Sequence, residues 1–309
     1  GEQRMNLGNV LITGGSGFIG SHLVRLALES SRSVTVVDLQ PDSNPDARHV
    51  ALDIADRQSL FEGLPNQIDT IFHLAAKTSV LQSINDPRGV FETNVVGTQN
   101  LLEFARDRGS KRMLLASTNA VVGNLANGRI TEDSPMRPLT PYGSSKAAAE
   151  VLSNAYGSSY GMAATHLRLT NVYGEGMSKK DSIVPRLMRT AIGLSKFSIY
   201  GDGEQYRDYV YVKDVVRAFV ELATKVHQGP VIIGSGVSIS VNALVEKASR
   251  VTGVAIPFDR VEAKPGEMRG VSVDISLAKS LGLKFEVEID QGLKRVWQDF
   301  KSNPEIQIQ

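Results

Sequence analysis

Tyr142-Gly-Ser-Ser-Lys146 places a phenol and a primary amine four residues apart. On a helix, residues i and i+4 are neighbours, so the two can cooperate if this stretch is helical. Its flanks point that way: Pro138-Leu-Thr-Pro141 precedes the pair and Ala147-Ala-Ala-Glu150 follows it. A second pair of the same spacing, Tyr209 and Lys213, begins in the alternating run Tyr209-Val-Tyr-Val212. Four residues of strand span roughly 13 Å, so that pair is not expected to cooperate. A tyrosine with a pKa of about 10 is a poor base at neutral pH, and a nearby ammonium favours its phenolate. Such a group can move the proton on an oxygen while hydride leaves or joins the carbon that bears it. Alone, the pair would equally suit a plain helix surface. The case for chemistry depends on a hydride carrier nearby.

The first forty residues predict one. The apolar run Val10-Leu-Ile-Thr13 breaks into Gly14, Gly17 and Gly20 and then enters the amphipathic stretch from Ser21 to Ala27. This reads as a strand, a tight turn and the first turn of a helix. Such a turn aims free backbone N–H groups and the positive helix end at a pyrophosphate. Gly14 permits the turn, Gly17 lets the backbone approach phosphate, and Gly20 lets helix and strand pack closely. A second strand, Ser33 to Asp38, ends in an acid about twenty residues on, where a carboxylate can hold a ribose 2′-hydroxyl. The alternative is a glycine turn that only packs a helix on a strand.

Upstream of the Tyr/Lys pair, Leu114-Leu-Ala-Ser-Thr118 ends an apolar run with two hydroxyls. Thr118, or more weakly Ser117, can donate to a reacting oxygen, or both can simply satisfy backbone groups at a strand end. The residues alone do not choose.

The rest of the chain excludes other chemistry. With no cysteine there is no disulfide, thiolate metal site or thiol nucleophile. The five histidines show no ligand spacing, so no metal is expected. His73 and His166 read as core or edge residues. Thirty-four basic against 33 acidic residues give a net charge of +1, which offers no electrostatic case for nucleic acid or an acidic membrane. No apolar run approaches the roughly 20 residues of a membrane span and no cleavable signal pattern opens the chain, so a cytoplasmic protein is expected.

Strand and helix patterns alternate at βαβ spacing. Strands are predicted at Asn9–Thr13, Ser33–Asp38, His49–Leu52, Thr70–Leu74, Arg112–Ala116 and Ala163–Leu169. Helices are predicted near 18–29, 56–63, 88–107 and 143–160. This favours a Rossmann-type, doubly wound parallel sheet over residues 1–170. Residues 171–309 read as a smaller substrate lobe with some chain returning to the main sheet. It carries strands at Phe197–Tyr200 and Tyr209–Val212, and helices near 183–193, 214–226, 240–252 and 276–281.

Together these residues resemble the extended short-chain dehydrogenase/reductase family, in its NAD-dependent nucleotide-sugar epimerase/dehydratase branch. The likeness spans nearly the whole chain. Its motifs are Thr13 to Gly20, Asp53-Ile54, His73-Leu-Ala-Ala76, Asn94-Val-Val-Gly-Thr98, Tyr142 with Lys146, Arg168 to Gly174, Gly201-Asp-Gly203 with Arg207-Asp208, and Pro265-Gly-Glu267. The resemblance implies NAD as cofactor, with Gly14, Gly17, Phe18 and Ile19 at its phosphates and Asp38 on the adenosine ribose. Asp53 and Ile54 would flank the adenine, and Leu74, Ala75, Ala76, Lys77 and Asn94 would line the cleft. It makes Thr118, Tyr142 and Lys146 the catalytic set, Lys146 also bonding the nicotinamide ribose. Asn171, Arg207 and Arg269 would grip a nucleotide-sugar diphosphate, with Lys77 and Asn119 also at the substrate. A guanidinium fork matches phosphate oxygens, although Arg207 would equally suit Asp208 as an ion-pair partner.

Departures from the family pattern narrow the reaction. Its 4,6-dehydratases carry Asp-Glu after the catalytic threonine and its decarboxylases keep a glutamate, whereas this chain has Asn119-Ala120. Its GDP-sugar epimerase-reductases use a cysteine, which is absent. What remains is C4 chemistry with one acid–base group. The expectation is a UDP-sugar 4-epimerase working through a transient 4-keto intermediate. An NAD(P)H-dependent 4-ketoreductase is the alternative, disfavoured by Asp38, which repels a 2′-phosphate. A non-catalytic nucleotide- or RNA-binding relative is a further one. Val122 replaces the usual tyrosine before Gly123. Val271 stands where the family has a residue that limits the space beside the sugar C2 substituent, so the resemblance implies that valine here leaves room for an N-acetyl group. The helices near 88–107 and 143–160 would form a homodimer face.

Overall fold

This computed structural model describes residues 6–41, 44–125, 128–263 and 269–303. In chain order the elements begin β1 (Asn9–Thr13), α1 (Phe18–Ser30), β2 (Ser33–Val37), β3 (Arg48–Val50), α2 (Arg57–Gly63) and β4 (Thr70–His73). Next come α3 (Val80–Asn85), α4 (Pro87–Phe91), a π-helical turn (Glu92–Val96), α5 (Gly97–Asp107), β5 (Arg112–Thr118), β6 (Arg129–Ile130), α6 (Pro141–Tyr160), β7 (Ala163–Leu169) and β8 (Asn171–Tyr173). Then follow α7 (Ile183–Ala191), β9 (Phe197–Tyr200), β10 (Tyr206–Tyr211), α8 (Val212–Ala223), β11 (Gly229–Ile233), β12 (Ser238–Ser240) and α9 (Val241–Thr252). The chain ends with β13 (Phe258–Val261), β14 (Ser272–Val273), α10 (Ser276–Ser280) and α11 (Ile289–Ser302).

Seven strands form one sheet in the order β11-β7-β5-β4-β1-β2-β3, every neighbouring pair parallel. Parallel strands covered on both faces need apolar side chains throughout, and β4 is buried at all four positions. Helices cover the sheet; Phe72 of β4, for example, meets Phe219 of α8 edge-to-face at 6.0 Å. This is the doubly wound Rossmann architecture expected from the alternation. Strand order reverses between β1 and β4, which places a crevice outside their carboxyl ends.

The chain divides into two compact units. The first comprises residues 1–126, 131–169 and 216–233; the second comprises 127–130, 170–215 and 234–309. In the second, β12, β10 and β8 form a small mixed sheet, and α7, α9 and α11 pack on one another.

Several local features differ from the sequence reading, among them β10, which begins at Tyr206 and not at Tyr209. β5 runs two residues further, to Thr118, so Ser117 and Thr118 belong to the strand. The helix expected at 88–107 is interrupted by the π-helical turn, and α3 precedes it. α11 was not foreseen, although its buried Leu293, Val296 and Phe300 recur at helical spacing.

Candidate active site

β1 ends in a turn that only glycine can make. Gly14 has φ +74°, and a Cβ there would lie 2.7 Å from the Ala75 nitrogen. At Gly20 a Cβ would meet the Gly14 carbonyl at 2.0 Å, whereas at Gly17 the nearest atom would be 3.3 Å away. Gly17 caps α1 without a side-chain hydrogen bond, and the first turn of α1 carries no acid. The positive end of α1 is thus not neutralised by an acid in its own first turn and could take an anion. Half-buried Phe18 and Ile19 form its first turn. Asp38, just beyond β2, accepts from the Ser16 N–H at 3.1 Å and the Gln40 N–H at 3.0 Å. Its carboxylate is thereby fixed beside the glycine turn. These groups fit a dinucleotide.

Asp53 is exposed and accepts from the Ala55 N–H. Ile54 is 3% exposed and belongs to the core; Asn100 bonds its carbonyl, so its side chain is committed to packing. Leu74, Ala75 and Ala76 are half-buried. Asn94, in the π-helical turn, accepts from the Lys77 N–H at 2.8 Å and donates to the Lys77 carbonyl at 3.0 Å. The Lys77 ammonium pairs with Asp86 at 3.3 Å on the surface.

β5 and α6 bring Thr118, Tyr142 and Lys146 into one unit. α6 starts where its residues dictate: Thr140 caps it by accepting from the Gly143 N–H, with Pro141 in the first turn. Thr118 stands close enough to Tyr142 to favour its phenolate, and its hydroxyl oxygen accepts from the Ala120 N–H at 3.1 Å. Burial nevertheless pushes the Tyr142 phenol up to about 12, the Thr118 hydrogen bond pulling the other way.

Lys146 is 3% exposed and donates to the Ala116 carbonyl at 2.9 Å. Burial brings its ammonium down to about 8, while Glu150 holds it up. β5 thus supplies an acceptor for the buried ammonium, which needs a strong hydrogen-bond partner.

Ser117 is settled as well. Its hydroxyl donates to Glu150, which also takes a two-pronged bond from Arg168, with Nη2 at 2.8 Å and Nε at 3.0 Å. Asn119 donates to the Arg168 and Leu169 carbonyls, leaving Oδ1 with no hydrogen-bond partner among the described residues. Val122 is buried.

In the second unit, Arg207 lies on β10 beside the segment 269–271. The Tyr206 N–H donates to the Arg269 carbonyl and the Val271 N–H to the Tyr206 carbonyl. The backbones of Tyr206 and Gly270 thus form an isolated parallel bridge, which brings the segment carrying Arg269 alongside β10. The Asp208 carboxylate accepts from the Thr170 hydroxyl, from both N–H and hydroxyl of Ser235, and from the Gly236 N–H. Asn171 donates to the Asp208 carbonyl at 2.9 Å. Pro265-Gly-Glu267 lies outside the described residues. Tyr209 is buried within β10, and Lys213 pairs with Glu175 at 3.4 Å.

The sequence reading passed over the Glu150–Arg168 pair. Its signal was a glutamate four residues past Lys146 and an arginine inside the apolar strand Ala163 to Leu169.

Residues 10–234 match the model of the NAD dependent epimerase/dehydratase family. The putative UDP-glucose 4-epimerase of Methanocaldococcus jannaschii is 33% identical over 302 residues, covering 95% of this chain and 99% of its own. The crystal structure of the Thermotoga maritima UDP-glucose 4-epimerase with UDP-glucose superposes with a TM-score of 0.90 at 32% identity, covering 95% of this chain and 98% of that one. MoeE5, solved with UDP-glucuronic acid and NAD, superposes at 0.88 with 35% identity, covering 95% and 99%. The chain belongs to the NAD dependent epimerase/dehydratase family and is an NAD-dependent enzyme of its nucleotide-sugar branch.

Proposed function

We propose that this chain is a UDP-sugar 4-epimerase, with Thr118, Tyr142 and Lys146 as its catalytic set. The observation that carries this is the packing of α6 on β5, which ties Lys146 to the Ala116 carbonyl and sets Tyr142 by Thr118, next to Asn119-Ala120. One acid–base group is present, without the neighbouring carboxyl groups that water elimination needs.

Bound NAD supplies reversible hydride transfer at sugar C4. Tyr142 takes the proton of the 4-hydroxyl as its phenolate and returns it when the C4 hydride is restored on the opposite face. Thr118 donates to the same oxygen, and the positive charge of Lys146 favours the phenolate. Asp38 holds the adenosine ribose. Arg207 and Arg269, with Asn171, hold the diphosphate about which the 4-keto sugar turns. The backbone bridge between Tyr206 and Gly270, which brings the segment carrying Arg269 alongside β10, supports that role. The ligand is a nucleotide-sugar and not a nucleic acid, in keeping with the net charge of +1.

Proton NMR of UDP-glucose, UDP-GlcNAc and UDP-glucuronic acid, each with protein and NAD⁺ but no reductant, tests the reading. Appearance of a C4 epimer is expected and names the sugar. If all three stay unchanged, and turnover appears only with reduced cofactor and a 4-keto sugar, the chain is a ketoreductase.

The working form is a homodimer. Leu81 and Ile84 of α3, Phe91 of α4 and Val151 of α6 are 55–74% exposed, on helices that pack together. Sedimentation should give twice the 33.4 kDa chain mass, and Val151→Glu should halve it. No helix among the described residues is long and apolar enough to cross a membrane; a cytoplasmic location follows from the reaction proposed.

A further inference from the structure

Thr13 and His73 end the two strands between which the sheet order reverses, and they are register partners. The Thr13 hydroxyl lies 2.7 Å from His73 Nδ1, and His73 Nε2 lies 2.8 Å from the Thr98 hydroxyl. Thr13, His73, Thr98 and Asn94 are each no more than 1% exposed, so each polar atom needs a partner.

The chain of donors has one consistent direction. The Thr98 hydroxyl gives its single proton to the Asn94 carbonyl at 2.6 Å, so towards the ring it can only accept. Nε2 therefore carries hydrogen. A neutral ring has one such hydrogen, so Nδ1 accepts from Thr13, whose oxygen in turn accepts from the Ala75 N–H at 3.1 Å. A charged ring would put N–H on both sides and leave the Thr13 proton without an acceptor. Burial also disfavours charge on this ring, and the charged group bearing on it is Lys146 of α6.

Beyond Asn94 the network continues. The Asn94 amide holds both backbone groups of Lys77 and donates to the Ser145 hydroxyl at 2.9 Å. Ser145 donates to the Tyr142 carbonyl at 2.7 Å. The wall segment 74–77 is thus gripped at Ala75 from the glycine turn and at Lys77 from the helix side. Apolar side chains of similar shape would pack here at little cost in stability. Directional bonds do what packing cannot: they fix this wall relative to the turn before it and the catalytic helix beside it.

We propose that His73 is a positioning residue of the NAD crevice, acting as a neutral Nε2–H imidazole that locks the wall 74–77 to Thr13 on one side and to the Thr98–Asn94 turn on the other. The role rests on NAD binding and not on which sugar is turned over.

Long-range ¹H–¹⁵N NMR of histidine-labelled protein, with His73→Gln as the assignment control, reads the tautomer directly. The Nε2–H form is expected, unchanged from pH 7.5 to 5.5, with or without NAD. An Nδ1–H tautomer, or titration inside that window, overturns the proposal. Thr98→Val removes the acceptor at constant shape, and Thr98→Ser keeps it. Thr98→Val should weaken NAD binding about tenfold and lower kcat by up to about 10²-fold, the scale of a 1 Å misplacement, with sugar KM little changed; Thr98→Ser should restore both. If Thr98→Val folds and binds NAD as the parent does, the ring is only structural and the proposal fails. A protein that turns over none of the three sugars would count against the epimerase reading alone, since tautomer and NAD affinity are measured without substrate.

Discussion

Glu150 stands one helical turn beyond Lys146 on α6, and its carboxylate is what opposes the loss of the buried lysine's proton. Glu150 is itself held by Arg168 and Ser117. Glu150→Gln should therefore have two separable effects. Leaving Arg168 buried without its partner should destabilise the fold by about 3–5 kcal/mol, as seen by denaturant unfolding. Lys146 should also lose its proton at lower pH, moving the alkaline limb of kcat downwards. The double variant Glu150→Gln/Arg168→Met should recover most of the stability but not the pH limb. A limb that stays in place would mean that Glu150 has only a packing role.

Tyr142→Phe removes the one group placed to move the 4-hydroxyl proton. Turnover should fall by about 10²–10⁴-fold, the usual contribution of a positioned acid–base, with the melting temperature and NAD affinity retained. Near-normal turnover would remove Tyr142 from the reaction.

Fold class was legible in the sequence because period and punctuation agreed: short apolar runs, a glycine turn, and helices started by Thr140-Pro141 and similar signals. The Tyr142/Lys146 pair was legible as residue types at fixed spacing, whereas the role proposed for Thr118 came only from the family resemblance. The wiring of the site was not legible. Nothing in a four-residue spacing says that Lys146 will bond the Ala116 carbonyl, or that Ser117 will turn to Glu150 and not to a substrate. Both depend on β5 lying under α6, a contact between residues about thirty apart. The π-helical turn at Glu92–Val96 escaped for a related reason: its apolar residues fit an ordinary helix, and only the tie from Asn94 to Lys77 shows what the turn presents.

His73 and His166 make the fold sensitive to acid. Burial lowers their folded pKa values from 6.5 to about 3 and about 4. Above pH 6.5 each is neutral, folded or unfolded, and pH has no effect through them. Below it the unfolded chain takes up protons that the folded chain cannot, so stability falls as pH falls. At pH 5 each ring should account for about 2 kcal/mol. The two His166 ring nitrogens have no hydrogen-bond partner among the described residues, so His166→Leu leaves nothing unsatisfied. That variant should lose about 2 kcal/mol less than the parent between pH 7.5 and 5 in urea unfolding. Equal losses would show that His166 takes up its proton in the folded protein as readily as in the unfolded chain.

Gly17 and Gly20 share one motif but should fail differently. A Cβ at Gly20 would sit 2.0 Å from the Gly14 carbonyl and 2.8 Å from Gly15 Cα, both backbone atoms that no rotamer can move. Gly20→Ala must push α1 away from the turn, at a cost of about 1–3 kcal/mol in overpacking, and its melting temperature should drop even without cofactor. A Cβ at Gly17 meets only the Gly14 carbonyl, at 3.3 Å, and stands at the exposed N-terminus of α1 where phosphate is proposed to bind. Gly17→Ala should keep the melting temperature of the free protein and weaken NAD binding by about tenfold, or 1.4 kcal/mol. Calorimetry with and without NAD separates the two. If Gly17→Ala instead melts early and binds NAD normally, the glycine turn serves packing alone, and the phosphate site must be sought elsewhere along the carboxyl ends of the sheet.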